Sequence, residues 1–132
     1  MEQAVERRAL RVYLVEDSPP VRERLEAMLA TIEGAQSVGH AEGADEAIRA
    51  ILAGQPDAVL CDLQLAQGSG FDVLRAVRAA APEIELYVLT NFVSEPYRRL
   101  AQRLGAREFF DKSTELGRLR ASLAARAAKS TH

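Results

Sequence analysis

The chain has 132 residues, 48% hydrophobic and 27% charged, with a net charge of −2. That length fits one globular domain burying roughly two-thirds of its unfolded surface, so a core needs neither disulfides nor a structural metal. The near-neutral balance gives no nucleic-acid signal, the single cysteine, Cys61, excludes an internal disulfide, and no apolar run approaches a membrane span.

The opening "MEQAVERRALRVYLVEDS" has early acids and no long apolar stretch, so it does not read as a signal peptide. A reducing, cytoplasmic setting is the expectation. "LRVYLVED" (10–17) is a short apolar run ending in two acids, which predicts a strand buried on both faces. "SPPVRERLEAMLATIEG" follows with Val21, Leu25, Met28, Leu29 and Ile32 at helical spacing. Ser18 is placed to cap that helix, Pro20 suits its first turn, and Gly34 ends it. "AQSVGHA" (35–41) predicts a second, weaker strand, with His40 as a surface imidazole at its end. In "GADEAIRAILAG" one helical face carries Ala44, Ala47, Ile48, Ile51 and Leu52.

"PDAVLCD" (56–62) is again apolar and ends in an acid. Cys61 there reads as a small buried hydrophobe rather than a redox sensor. "GSGFDVLRAVRAAAP" predicts a helix with Phe71, Leu74 and Val77 inward, and "IELYVLTN" a fourth strand. "SEPYRRLAQRLGA" predicts a helix capped by Ser94 and stopped at Gly105, with Tyr97, Leu100, Ala101 and Leu104 inward. "REFFDK" is a short fifth strand. "STELGRLRASLAARAAK" closes as a helix through Leu116, Leu119, Leu123 and Ala127, which Gly117 weakens by about 1 kcal/mol against Ala. Arg98, Arg99, Arg103, Arg118 and Arg120 on the last two helices read as a solvated face before a partner surface.

Strand and helix alternate five times without a linker or repeat. This predicts a single α/β domain over 1–132, with its core at about 10–128, a parallel sheet and helices on both faces. In such doubly wound sheets ligands sit at the carboxyl ends of the strands. Those ends carry Glu16 and Asp17, Asp62, Thr90 and Lys112. An acid at a strand end is ordinarily a cap or a solvated loop residue, but the five groups together are a less ordinary pattern. Two carboxylates 4 Å apart repel by about 4 kcal/mol at an effective dielectric of 20. Lys112 offsets part of that, and a hard divalent cation would neutralise the rest. Carboxylates with open positions suit Mg²⁺, and no His/Cys cluster suits zinc. A phosphoryl group fits as the anion that Lys112 and Thr90 both reach, and an aspartate can be the nucleophile that takes it.

The pieces "LVEDS", "VLCDLQL…GSGFDVL", "VLTN" and "FFDKS" resemble the receiver domain of bacterial two-component response regulators. The resemblance implies a flavodoxin-like five-stranded sheet of order 2-1-3-4-5 with five helices. It implies a phosphoprotein switch, not an enzyme beyond its own phosphorylation and dephosphorylation, with Mg²⁺ as cofactor. Asp62 would be the phosphoacceptor. Asp17 would bind the metal directly, Glu16 through water, and Gln64 through its backbone carbonyl. Thr90 would bond one phosphoryl oxygen and Lys112 another, with Phe109 at the aromatic switch position. Gln64, Asn91 and Phe92 would border the approach to the phosphoryl group.

The implied partners are a sensor histidine kinase or phosphotransfer protein and an unidentified downstream protein. Neither nucleic acid nor membrane is implied as a direct partner, and a dimer through the last two helices is a further expectation. The short tail after the last helix fits a stand-alone receiver or a piece of a longer regulator. Three positions depart from the family pattern. Ala66 stands where proline is usual, which leaves the loop after Asp62 freer; Ser113 stands where a proline, often after a cis bond, is usual, which leaves that bond trans or a costly cis; and Asn91 stands where a small residue is usual, so that it narrows the entrance or contacts the phosphoryl group itself. Two rival readings are a flavodoxin-like cofactor binder and a docking module that works without phosphorylation. The acidic "EDSPP" loop argues against the first, the complete acid–hydroxyl–ammonium set against the second.

Overall fold

The computed structural model describes residues 8–130. Ten elements alternate: β1 (Leu10–Val15), α1 (Pro19–Ala30), β2 (Ala35–Ala41), α2 (Ala44–Gly54), β3 (Ala58–Cys61), α3 (Gly70–Ala80), β4 (Glu85–Thr90), α4 (Glu95–Arg103), β5 (Ala106–Asp111) and α5 (Leu116–Ser130). The strands form one sheet in the order β2-β1-β3-β4-β5, and every neighbouring pair is parallel. This is the expected architecture and strand order. No helix among the described residues is long and apolar enough to cross a membrane.

Alternation along the strands divides the core in two. Val12, Leu14, Leu60, Leu89 and Phe110 pack with Leu25, Leu29, Leu119 and Leu123 of α1 and α5. Tyr13, Val15, Val59, Cys61, Val88 and Phe109 pack with Ala47, Ile51, Val73, Val77 and Ala101 of α2, α3 and α4. Strands covered on both faces read as continuous apolar runs, which is why the central three were legible. β2 lies at the sheet edge, and much of it is exposed, in keeping with its weak pattern.

Ser18 caps α1 by accepting the Val21 N–H, with prolines in the first turn as expected. Ser69 caps α3 through a capping box with Asp72. Ser94 occupies the cap position of α4, but its side chain makes no cap hydrogen bond. The inward face assigned to α4 needs one correction. Ala101 is buried, but Tyr97 is 42% exposed. Its ring is tilted against Phe71 at 6.0 Å and edge-on to Phe92 at 6.1 Å. Helical spacing puts Tyr97 on the apolar stripe, but it sits in the first turn of α4, where residues 91–97 are all exposed.

Candidate functional site

Strand register assembles the site. Val15 pairs with Cys61, so Glu16 and Asp62 follow on adjacent strands, and the Asp62 N–H donates to the Val15 carbonyl at 3.0 Å. Thr90 pairs with Asp111, which puts Lys112 one residue further, its N–H donating to the Thr90 carbonyl at 2.9 Å. Continuing the alternation, Glu16, Asp62 and Lys112 share the face of Leu14, Leu60 and Phe110, while Thr90 shares that of Val88 and Phe109.

The three groups on one face meet. Lys112 Nζ lies 2.6 Å from Asp62 Oδ2 and 2.9 Å from Glu16 Oε1. Glu16 is buried, and its Oε2 accepts the Ser18 N–H at 3.1 Å. Burial raises the Glu16 pKa above the usual carboxyl range, against the Lys112 hydrogen bond and charge that pull it down. Burial also works against the Lys112 ammonium, but its hydrogen bonds to Asp62 and Glu16 outweigh this, and its pKa is raised.

Glu16, Asp17 and Asp62 each offer one carboxylate oxygen, and these atoms lie within 4.8 Å of one another. Three hard oxygen donors beside an open cleft fit Mg²⁺. The cleft measures about 350 Å³, and its walls include Glu16, Asp17, Asp62, Gln64, Asn91, Phe92 and Lys112. The Asp62 Oδ1 has a long contact, 3.4 Å, with the Gln64 N–H. α3 starts against this strand end because residue 70 is glycine: a Cβ there would lie 2.1 Å from the Asp62 carbonyl oxygen.

Thr90 and Phe109 are beside the cleft rather than on its wall. Thr90 is 0% exposed, and its hydroxyl accepts the Phe92 N–H at 3.2 Å. Phe109 is 6% exposed, and the Arg98 guanidinium lies over its ring, 4.5 Å from the centroid. Cys61 is fully buried, and burial, followed by the Asp62 and Glu16 charges, raises its thiol pKa, so it stays protonated. That supports the packing role over a redox one. His40 is exposed, 3.7 Å from Glu26.

Sequence reading treated Ser18 only as a helix cap, whereas its N–H also orients Glu16. The stretch "EDS" places that donor two residues after the acid. The peptide bond before Ser113 is trans, since no cis bond occurs among the described residues. The loop after Asp62, expected to be freer for want of a proline at Ala66, is tied at Gln67 instead: the Ala44 N–H donates to the Gln67 carbonyl at 2.8 Å. The first turn of α1 is not a phosphate cradle. Pro19 and Pro20 remove two N–H donors where a flavodoxin-like loop would need them.

The family model of the response regulator receiver domain matches residues 12–124. The response regulator GacA of Pseudomonas viridiflava is 28% identical over 83% of this chain and 51% of its own length. PilR of Pseudomonas aeruginosa is 32% identical over 83% of this chain and 24% of its own length. The chain thus spans about half the length of GacA and less of PilR. Among solved structures, a LuxR-family response regulator from an Aurantimonas species superimposes with a TM-score of 0.84 at 27% identity, covering 92% of this chain and 86% of that one. The BeF3-activated receiver domain of Klebsiella pneumoniae RstA superimposes with a TM-score of 0.79 at 26% identity, covering 89% and 97%.

Proposed function

The chain belongs to the response regulator receiver domain family, and from that premise we propose that it is a phosphorylatable switch whose acceptor is Asp62. The observation that carries this reading is the bridge from Lys112 to both Asp62 and Glu16, at 2.6 and 2.9 Å, beside an open cleft. Lys112 holds Asp62 Oδ2, so Oδ1, with only one long contact, is the oxygen left to attack. A sensor histidine kinase or phosphotransfer protein supplies the phosphoryl group. The Oδ1–P bond forms as the P–N bond to the donor imidazole breaks, and the imidazole takes up a proton.

Glu16, Asp17, Asp62 and the Gln64 carbonyl would hold Mg²⁺, which supplies positive charge against the phosphoryl oxygens. Lys112 then exchanges its bond to Asp62 for one to a phosphoryl oxygen. The Thr90 hydroxyl already accepts a hydrogen bond and still has its own proton to donate to another phosphoryl oxygen. To reach it, Thr90 must leave its buried position, and Phe109, on the same face of the sheet, follows that space. The surface of α4, β5 and α5 changes with it, and a partner reads the change. The chain catalyses only its own aspartyl phosphorylation and the hydrolysis of that aspartyl phosphate.

Incubation with Mg²⁺ and acetyl phosphate tests this. The wild type should gain one phosphoryl group by mass. Full gain in Asp62→Asn, or in the presence of EDTA, would overturn the assignment.

A further inference from the structure

The N-terminus of α2 lacks a cap of its own, because its cap residue, Gly43, has no side chain to offer. The donors are satisfied from across the fold by Gln67. Its backbone carbonyl accepts the Ala44 N–H at 2.8 Å, and its side-chain Oε1 accepts the Asp45 N–H at 3.1 Å. Its Nε2 donates in return to Asp45 Oδ2 at 3.3 Å. Gln67 therefore acts as a reciprocal capping box in trans.

The approach this requires is close. Gly68 has a φ of +75°, and a Cβ on it would lie 2.7 Å from the Ala44 Cβ. Only glycine gives both the left-handed turn and the clearance. The segment from Leu63 to Ser69 is also closed at its base, where Gln64 bridges Ser69 and the Gly70 N–H donates to the Leu63 carbonyl at 2.9 Å. The loop is thus an arch, fixed below at Gln64 and above at Gln67.

We infer that Gln67 is a positioning residue for the Mg²⁺ site: by tying the arch to α2, it fixes the direction of the Gln64 carbonyl. The inference rests on the proposed reading of Glu16, Asp17, Asp62 and Gln64 as the metal's ligands. Gln67 does not touch the cation. It replaces, by hydrogen bonds to a neighbouring helix, the stiffness that a proline at position 66 would give. Linkage is reciprocal, so Mg²⁺ binding must in turn strengthen the cap on α2.

The test is an NMR titration of the full chain with MgCl2, alongside melting curves and amide exchange at Ala44 and Asp45. Gln67→Ala should weaken Mg²⁺ binding by roughly 5- to 10-fold. In the wild type, Mg²⁺ should slow exchange at both amides. The discriminating variant is Gly43→Ser combined with Gln67→Ala. The serine gives α2 its own cap at an extended backbone position; the Gln67 Oε1 at 3.0 Å from its Cβ is gone, and the Cβ of residue 67 at 3.1 Å, in an exposed loop, need give by only a few tenths of an ångström. This double variant should recover the melting temperature and leave Mg²⁺ binding weak. Wild-type Mg²⁺ affinity in Gln67→Ala, or recovery of affinity together with stability in the double variant, would reduce Gln67 to a helix cap. A wild type that fails to respond to Mg²⁺ would overturn the metal-site reading itself, and this one with it.

Discussion

The Lys112 ammonium sits 2.6 Å from Asp62 Oδ2 with only 14% of its side chain exposed, and the same nitrogen holds Glu16. One cation from β5 thus offsets the charge that β1 and β3 bring together. Lys112→Ala leaves two inward carboxylates facing each other. Its stability without Mg²⁺ should fall by about 2 kcal/mol, less than for a fully dry pair because the cleft is open to water. Mg²⁺ should then restore more stability to the variant than it adds to the wild type, while phosphorylation by acetyl phosphate slows. Melting curves with and without Mg²⁺ check this. Equal Mg²⁺ responses would show that Lys112 and the cation do not share a role.

Glu16 gives a pH signature. Burial, against the pull of Lys112, raises its pKa in the fold. The folded protein therefore binds this proton more tightly than the unfolded chain. Its contribution to stability is fully present below the unfolded carboxyl pKa and is lost as pH rises through the raised folded value. Glu16→Gln keeps an acceptor and removes the charge. At pH 7 without Mg²⁺ it should melt about 2–5 °C higher than wild type, and the gap should close as the pH falls towards 4. Mg²⁺ binding should weaken. A variant that melts lower than wild type at pH 7 would mean that the charge of Glu16 holds the fold together.

Phe92 lines the cleft. Gln64 and Asn91 line it too, and Tyr97 meets the Phe92 ring edge-on at 6.1 Å. Hydrolysis of an aspartyl phosphate needs a water in line with the bond that breaks. The Gln64 amide can hold one, whereas the Phe92 ring has no donor or acceptor to offer it, and we propose that the ring excludes that water. Phe92→Ala should hydrolyse its phosphoryl group about tenfold faster with little change in melting temperature. Loss of phosphoryl mass over time, for both proteins side by side, measures it. Equal rates, or a slower variant, would remove Phe92 from this role.

Thr90 and Phe109 should separate acceptance of phosphate from its transmission. Phe109 is already inward, beneath Arg98. A phenylalanine there has no hydroxyl to draw it into solvent, and burying the ring is worth roughly 1.5–3 kcal/mol. NMR of the unphosphorylated protein should therefore find the ring packed among core residues. Thr90→Ala should still take up a phosphoryl group, but beryllofluoride should shift the resonances of α4, β5 and α5 less than in wild type. Shifts of equal size would show that the Thr90 hydroxyl does not carry the signal.

The strands were legible because a buried parallel strand is a short apolar run, and the site was legible because each such run stops at a polar group. Glu16, Asp62 and Lys112 were found that way, and register then brings them within hydrogen-bond reach. Periodicity failed at Tyr97, since spacing identifies a face of α4 but not which of its turns is covered. It was also silent on Thr90 lying behind the cleft wall, which depends on the parity of the strand end. Gln67 was out of reach for another reason. Its partners are 22 to 23 residues away in the chain, and a glutamine in a loop has no pattern that announces a helix it caps.

Asp62 is the carboxylate proposed to carry the phosphoryl group. Borohydride reduction of the acetyl-phosphate-treated protein converts a phosphorylated aspartate to homoserine, and peptide mass mapping then reads the position directly. Homoserine should appear at position 62, dependent on Mg²⁺, with Asp17 unchanged. Homoserine at position 17, or at no position in protein that has gained phosphoryl mass, would contradict it.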